Sequence, residues 1–151
     1  MSQISAIQYG GDMMLFVASG ATVQPLAFST SAKIDITLKT RDVGSKDSGY
    51  WDETAAGRFN WNVSSDQLYA YAATGTTQTY AKLYAMMLAR VPINIGFGVK
   101  AVGSVSPSWT IATTDKFTGQ ILITALSITA GDNANATYTM SGVGVGVLAF
   151  A

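Results

Sequence analysis

Side chains that could do chemistry gather in one stretch, Ser45-Lys46-Asp47-Ser48-Gly49-Tyr50-Trp51-Asp52-Glu53. It sets a Tyr-Trp pair among four charges, in a chain of which only 12 % is charged against the usual ~25 %. Aromatic rings bordered by charge serve noncovalent recognition. The rings exclude water at the centre of a contact and the charges orient its rim. Arg41 and Asp42 precede the stretch, and Arg41, Asp42, Lys46, Asp47, Tyr50, Trp51, Asp52 and Glu53 form the candidate contact set.

Covalent catalysis has little to work with. There is no histidine, so the commonest general base is missing. There is no cysteine, hence no thiolate nucleophile, disulfide or thiolate metal site. The one glutamate and the aspartates are scattered. Asp132-Asn133-Ala134-Asn135 has a faint calcium-loop look, but Ala134 stands where a ligand is needed and no Glu follows at the required spacing. It reads as a turn. Gly142-Val143-Gly144-Val145-Gly146-Val147 lacks phosphate-loop spacing and leads into no helix. At period two it is a strand with glycine on one face, lying under a close neighbour. Asn62-Val63-Ser64 and Asn135-Ala136-Thr137 match glycosylation acceptors only formally, since Met1-Ser2-Gln3-Ile4 lacks the basic start of a secretory signal. No catalytic residue, metal or cofactor is expected.

The elements that must position the contact set are mostly strands. Residues 33–39 alternate strictly, with Lys33, Asp35, Thr37 and Lys39 on one face and Ile34, Ile36 and Leu38 on the other. Residues 59–69 resume the pattern, with Phe59, Trp61 and Val63 opposite Asn60, Asn62 and Ser64. Between them a polar loop is read over 40–58, unusually long for a compact domain. The two polar faces are alike. They are either a solvated sheet face or the lining of a wet interior. Trp61 reads as core and Trp51 as an interface anchor.

Strands are also read at 13–18, at 22–29 with Pro25 marking an edge, and at 93–99, 109–114, 117–129 and 135–150. A Gly/Thr linker spans 72–78. Tyr80, Leu83, Tyr84, Met87 and Leu88 then recur at helical spacing, giving one helix at about 79–90 that Thr77 or Thr79 can cap and Pro92 ends. The fold class is mainly β: an antiparallel β-sandwich or barrel with one flanking α-helix, in a single domain over 1–151. Net charge is zero, which gives no general pull toward nucleic acid or an anionic membrane. No apolar run approaches transmembrane length. Low charge without net repulsion favours self-association.

These marks together resemble the major tail tube proteins of long-tailed bacteriophages. The likeness is carried by the 45–53 stretch with Gly57 and Trp61 after it, by the helix leading into Pro92-Ile93, and by the closing hairpin. That hairpin runs from Thr118-Gly119 through Leu126-Ser127-Ile128-Thr129-Ala130 to Asn133-Ala134-Asn135-Ala136-Thr137-Tyr138 and Gly142. The resemblance implies hexameric rings that stack into a hollow tube with a continuous inner β-barrel. It implies that the long loop reaches a neighbouring subunit or the next ring; the C-terminal immunoglobulin-like domain that some members of that family add is not expected here. Lys33, Asp35, Thr37, Lys39, Asn60, Asn62 and Ser64 become candidates for the lumen. The implied partners are copies of the chain, a tape-measure protein, tail terminator and baseplate proteins, and a sheath where the tail contracts. DNA passes through during ejection without being held, and no membrane is bound. The place is the virion tail, after synthesis in the host bacterial cytoplasm.

Two other readings stay beside this one. The chain could form the inner tube of a contractile injection or bacteriocin-type particle. It could instead be a small carbohydrate-binding β-sandwich, with Tyr50, Trp51 and Trp109 as a sugar platform and a stable monomer as its consequence.

Overall fold

In the computed structural model, which describes residues 9–19, 22–26, 28–69, 79–104 and 109–151, alternation of branched and polar side chains produces seven strands. They are β1 (Met13–Ser19), β2 (Thr22–Pro25), β3 (Ser29–Asp42), β4 (Thr54–Leu68), β5 (Ile93–Val99), β6 (Phe117–Thr129) and β7 (Thr137–Phe150). Helix α1 (Tyr80–Ala89) lies between β4 and β5 in the chain. All seven strands join one antiparallel sheet in the order β2-β1-β5-β6-β7-β4-β3. The sheet folds over on itself, so that the start of β3 packs against β1. The two layers of the expected sandwich are thus two parts of one sheet. β2 is short and lies at an edge, as Pro25 requires.

The core lies between the folded halves. Leu15, Val17, Trp61, Val63, Ile95, Ile121 and Met140 are buried in one cluster, which Leu83 of α1 closes. Burial at about 1.5–3 kcal/mol per large apolar side chain makes this cluster the main stabilising element. Trp61 is its wedge. Its ring lies flat on Gly144 and Gly119, and a Cβ at either position would enter the indole. Its Nε1 donates to the Gly146 carbonyl at 3.1 Å, where φ of +76° bends β7. The glycine face of β7 therefore lies under a close neighbour, as its pattern predicts.

α1 begins after Thr79, whose backbone is extended, and ends at Arg90 in the left-handed region. The Arg90 N–H donates to the Met87 carbonyl at 3.3 Å, and Pro92 follows. Its packed side differs from the expected stripe. Leu83 is buried and Tyr80 and Met86 lie on the core, whereas Tyr84 and Leu88 face outward. Tyr80 meets Tyr138 edge-on with ring centroids 5.2 Å apart. The Tyr138 hydroxyl is buried with no hydrogen-bond partner among the described residues, and loss of hydration pushes its pKa up to about 12.

Several boundaries move. The strand read over 22–29 stops at Pro25; Phe28 turns with φ of +52°, and Ser29 already starts β3. The loop read over 40–58 is shorter, because β3 continues to Asp42 and β4 already starts at Thr54. Both ends are exposed, so neither needs alternating hydrophobicity to be a strand. The strand read over 109–114 reduces to a single bridge between Lys100 and Ile111. The linker read over 72–78 lies outside the described residues.

Candidate assembly surface

Strand pairing converts the polar alternation of β3 and β4 into a face. Lys33 stands opposite Ser64, Asp35 opposite Asn62, and Thr37 opposite Asn60. The rows continue across β7 and β6. Asp35 and Asn62 align with Val143 and Leu122; Lys33 and Ser64 align with Ser141 and Ala125. A further row runs Ser31, Asp66, Thr139 and Ser127. Four strands thus share a polar face on which Leu122, Val143 and Val145, the last opposite Gln120, are the large apolar side chains among the described residues. The Lys33 ammonium lies 3.3 Å from the Asp35 carboxylate, in an exposed pair worth well under about 1 kcal/mol. Asp66 accepts from Thr139 Oγ1 at 2.7 Å and Ser31 Oγ at 3.0 Å. Lys39 sits where the register shifts between Leu38 and Thr40, beyond these rows. With Lys39 counted, two lysines and two aspartates lie on this face, and Arg58, two residues before Asn60 on β4, adds a further positive charge at its distal end.

Sequence reasoning found seven of these residues and missed Asp66, Ser31, Ser141, Thr139 and Ser127. Their signal was present in the alternation of 62–66 and in the Ser/Thr positions of 127–141. Only the register joins those positions to the β3 face.

The opposite face is apolar. Ile34 pairs with Val63, Ile36 with Trp61 and Leu38 with Phe59. The first pair is on the core. Beyond it the cover stops, and Ile36, Leu38 and Phe59 are 50 %, 42 % and 72 % exposed. The distal halves of β3 and β4 thus form an arm with one bare apolar side. At its foot an open apolar groove of about 770 Å³ is lined by Ile36, Phe59, Trp61, Phe117 and Val147.

The predicted contact set lies at the arm's tip. Arg41 and Asp42 end β3, paired with Ala55 and Thr54. Lys46 and Asp47 fall in one 3₁₀ turn, Lys46–Ser48. Tyr50, Trp51, Asp52 and Glu53 follow on the descending side. The loop has its own bonds: the Val43 N–H donates to the Glu53 carbonyl at 2.9 Å, and the Gly44 N–H to Asp42 Oδ1 at 2.8 Å. Trp51 is 84 % exposed. Tip and polar face are separate sites on one hairpin.

Trp109 belongs to neither. It lines a cleft with Met13 and Lys100, and the Lys100 ammonium sits 4.1 Å from its ring centroid and 3.5 Å from Asp12. Among the described residues no group of three His, Cys, Asp or Glu could hold a metal ion.

Besides the short border strand β2, two longer stretches of strand edge are open among the described residues. β3 pairs only with β4, so its outer edge is unmatched along its length. β6 pairs with β5 only as far as Ile121, opposite Ile93, which leaves the edge of 122–129 on that side without a strand. Following β3, β4, β7 and β6 through antiparallel pairings, the two open edges run in opposite directions. A second copy could join its β3 to this β6 as one more antiparallel pair, with the polar faces continuous.

The chain belongs to the phage tail tube protein family, whose sequence pattern it matches over residues 7–150. It is a structural protein of the tail, and its place is the virion. Its fold is similar to the tube subunit in the tail of an empty gene transfer agent particle determined with C6 symmetry. That match has 19 % identity and a TM-score of 0.76, over 96 % of this chain and 99 % of the other. The SPP1 tail tube is similar at 10 % identity and TM-score 0.67, over 91 % of this chain and 76 % of that one. A chain of the anti-feeding prophage baseplate is similar at 11 % identity and TM-score 0.65, over 99 % and 98 %. No curated protein matches in sequence.

Proposed function

We propose that six copies close into a ring, that rings stack into the tail tube, and that the polar face of β3, β4, β7 and β6 lines the lumen through which DNA leaves. The observation that carries this reading is the pair of opposed open edges flanking a polar face on which positive and negative side chains are mixed. Sixfold closure is taken from the gene transfer agent tail. Four strands from each of six copies, at about 4.8 Å spacing and about 40° tilt, give a wall about 48 Å across between backbones. That width admits duplex DNA.

The lining is suited to passage because it does not grip. Lysines facing phosphates bind DNA nonspecifically at about 10⁻⁴–10⁻⁶ M, and repetition along a tube would multiply that hold. Here Asp35 answers Lys33 at 3.3 Å, and Asp66 adds a second negative charge at the opposite end of the face from Lys39. The same lumen would hold a tape-measure protein before ejection. Terminator and baseplate proteins would cap the ends, with a sheath outside if the tail contracts. The role calls for no catalytic group.

The tip residues Arg41, Asp42, Lys46, Asp47, Tyr50, Trp51, Asp52 and Glu53 are the proposed contact to another subunit, with Trp51 as its anchor. Negative-stain electron microscopy and sedimentation of the purified chain test the reading. Stacked rings with sixfold end views are expected; a monomer at millimolar concentration would overturn it.

A further inference from the structure

α1 stands beside the point where the β6 edge opens. Its C-terminal end passes through Val91 and Pro92 into β5, whose first residue, Ile93, holds the last β6 residue that β5 pairs, Ile121. Between helix and strand lies a groove of about 360 Å³ lined by Met86, Met87, Val91, Leu122 and Ile123 together with the polar Arg90 and Thr124. α1 packs against β6 on the apolar side of the sheet, since Leu83 and Met86 join the core. The groove therefore roofs the open edge from that side. Val91 and Leu88, 56 % and 62 % exposed, stand at its rim.

We propose that this groove seats the β3 arm of the adjacent copy and receives its Ile36 and Leu38. The inference rests on the tube reading and adds the socket that covers the bare side of the arm. Alternation fixes the side each arm residue faces, and a register that sets the distal part of β3 against 122–124 brings Ile36 and Leu38 to the groove. A strand added to the 122–129 edge must keep Lys33, Asp35 and Thr37 on the polar face, because one residue of slip would put charges into the apolar side. Alternation then sends Ile36 and Leu38 to the other side, under α1. Backbone pairing alone would fit any exposed edge. The apolar seat makes the joint selective for a strand with large side chains at two alternate positions. Methionines suit such a seat, because their unbranched side chains adapt to the shape that enters. Each copy carries the arm at one place and the groove at another, so the contact is heterologous and propagates until a ring closes.

The absence of native cysteine makes the joint directly testable. Leu38→Cys and Val91→Cys combined in one chain should, after oxidation of assembled tubes, give a reducible ladder of covalent oligomers. Either single substitution should give none. The pair Leu38→Cys with Val147→Cys, which reports the groove at the foot of the arm, should not crosslink; if it does while the first pair stays monomeric, the seat is wrong. Tubes that form normally without the first crosslink would overturn the seat and leave the tube reading intact, whereas no tubes from the unmodified chain would end both. Charge reversal is an independent check. Leu38→Glu or Val91→Lys alone should raise the critical concentration at least tenfold, and the double variant should recover most of that loss. No recovery would also count against the seat.

Discussion

Ile36→Glu places a carboxylate at the start of the bare row on the arm. Half of the Ile36 side chain already rests on the molecule, opposite Trp61, and half is open. If a second copy covers the open half, the substitution removes about 1 kcal/mol of apolar contact per joint, half of the usual range for a full side chain. It also desolvates a charge that Arg58, which lines the same groove, only partly answers, for about 2–3 kcal/mol more. A loss of about 3–4 kcal/mol per joint raises the critical concentration by two to three orders of magnitude, at about 1.4 kcal/mol per decade. The free subunit loses less. Strand preference and the Trp61 contact together account for about 1–2 kcal/mol, or a fall in Tm of roughly 3–6 °C. Circular dichroism should therefore report a folded chain, while sedimentation over a concentration series shows tubes only far above the parent's threshold. A folded variant that polymerises at the parent's threshold would refute the idea that copies cover this row.

Trp51→Ala should leave the melting curve within about 1 °C of the parent and abolish long tubes in electron micrographs, since an exposed side chain adds little to the fold. Gly144→Ala should lower Tm by about 4–8 °C in a thermal melt, because overpacking against Trp61 costs about 2 kcal/mol with no room to relax. Tyr138 makes the fold sensitive to alkali. Its hydroxyl ionises near 10 when unfolded and about 12 when folded. The folded state thus holds its proton longer, and stability falls by about 2–3 kcal/mol between pH 10 and 12. Denaturant titrations should show that slope lost in Tyr138→Phe. Assembled tubes should retain almost no DNA at low salt in a filter assay, whereas Asp35→Asn, which leaves Lys33 without its partner, should increase retention and make it salt-sensitive.

Strict alternation made the hairpin faces legible in advance. Lys33, Asp35 and Thr37 were separable from Ile34 and Ile36 because a half-buried strand demands period two. Trp61 and the glycines of β7 were legible for a related reason, since a face without Cβ atoms implies a large neighbour. The arm's true length was not. Residues 40–42 and 54–58 are exposed, so no burial pattern disciplines their types, and the charges of Arg41, Asp42 and Arg58 imitate a loop. Helical periodicity located α1 but not its packed side. Tyr84 and Leu88 extend the stripe as well as Tyr80 and Leu83 do, yet the core reaches only the latter pair. Asp66 and its hydroxyl donors were invisible as a group, because their adjacency exists only across three strand pairings.

Pro25 gives the sheet a direction of growth. It closes a short border strand where a further ladder could not continue, and the long border on the other side is β3. Flat, open-ended stacking of the amyloid kind needs two receptive margins. Here one margin is blunted and the matching site is a partial notch set inward, beside α1. On the ring reading proposed above, subunits accumulating before assembly are steered toward curved closure and away from fibrillar waste.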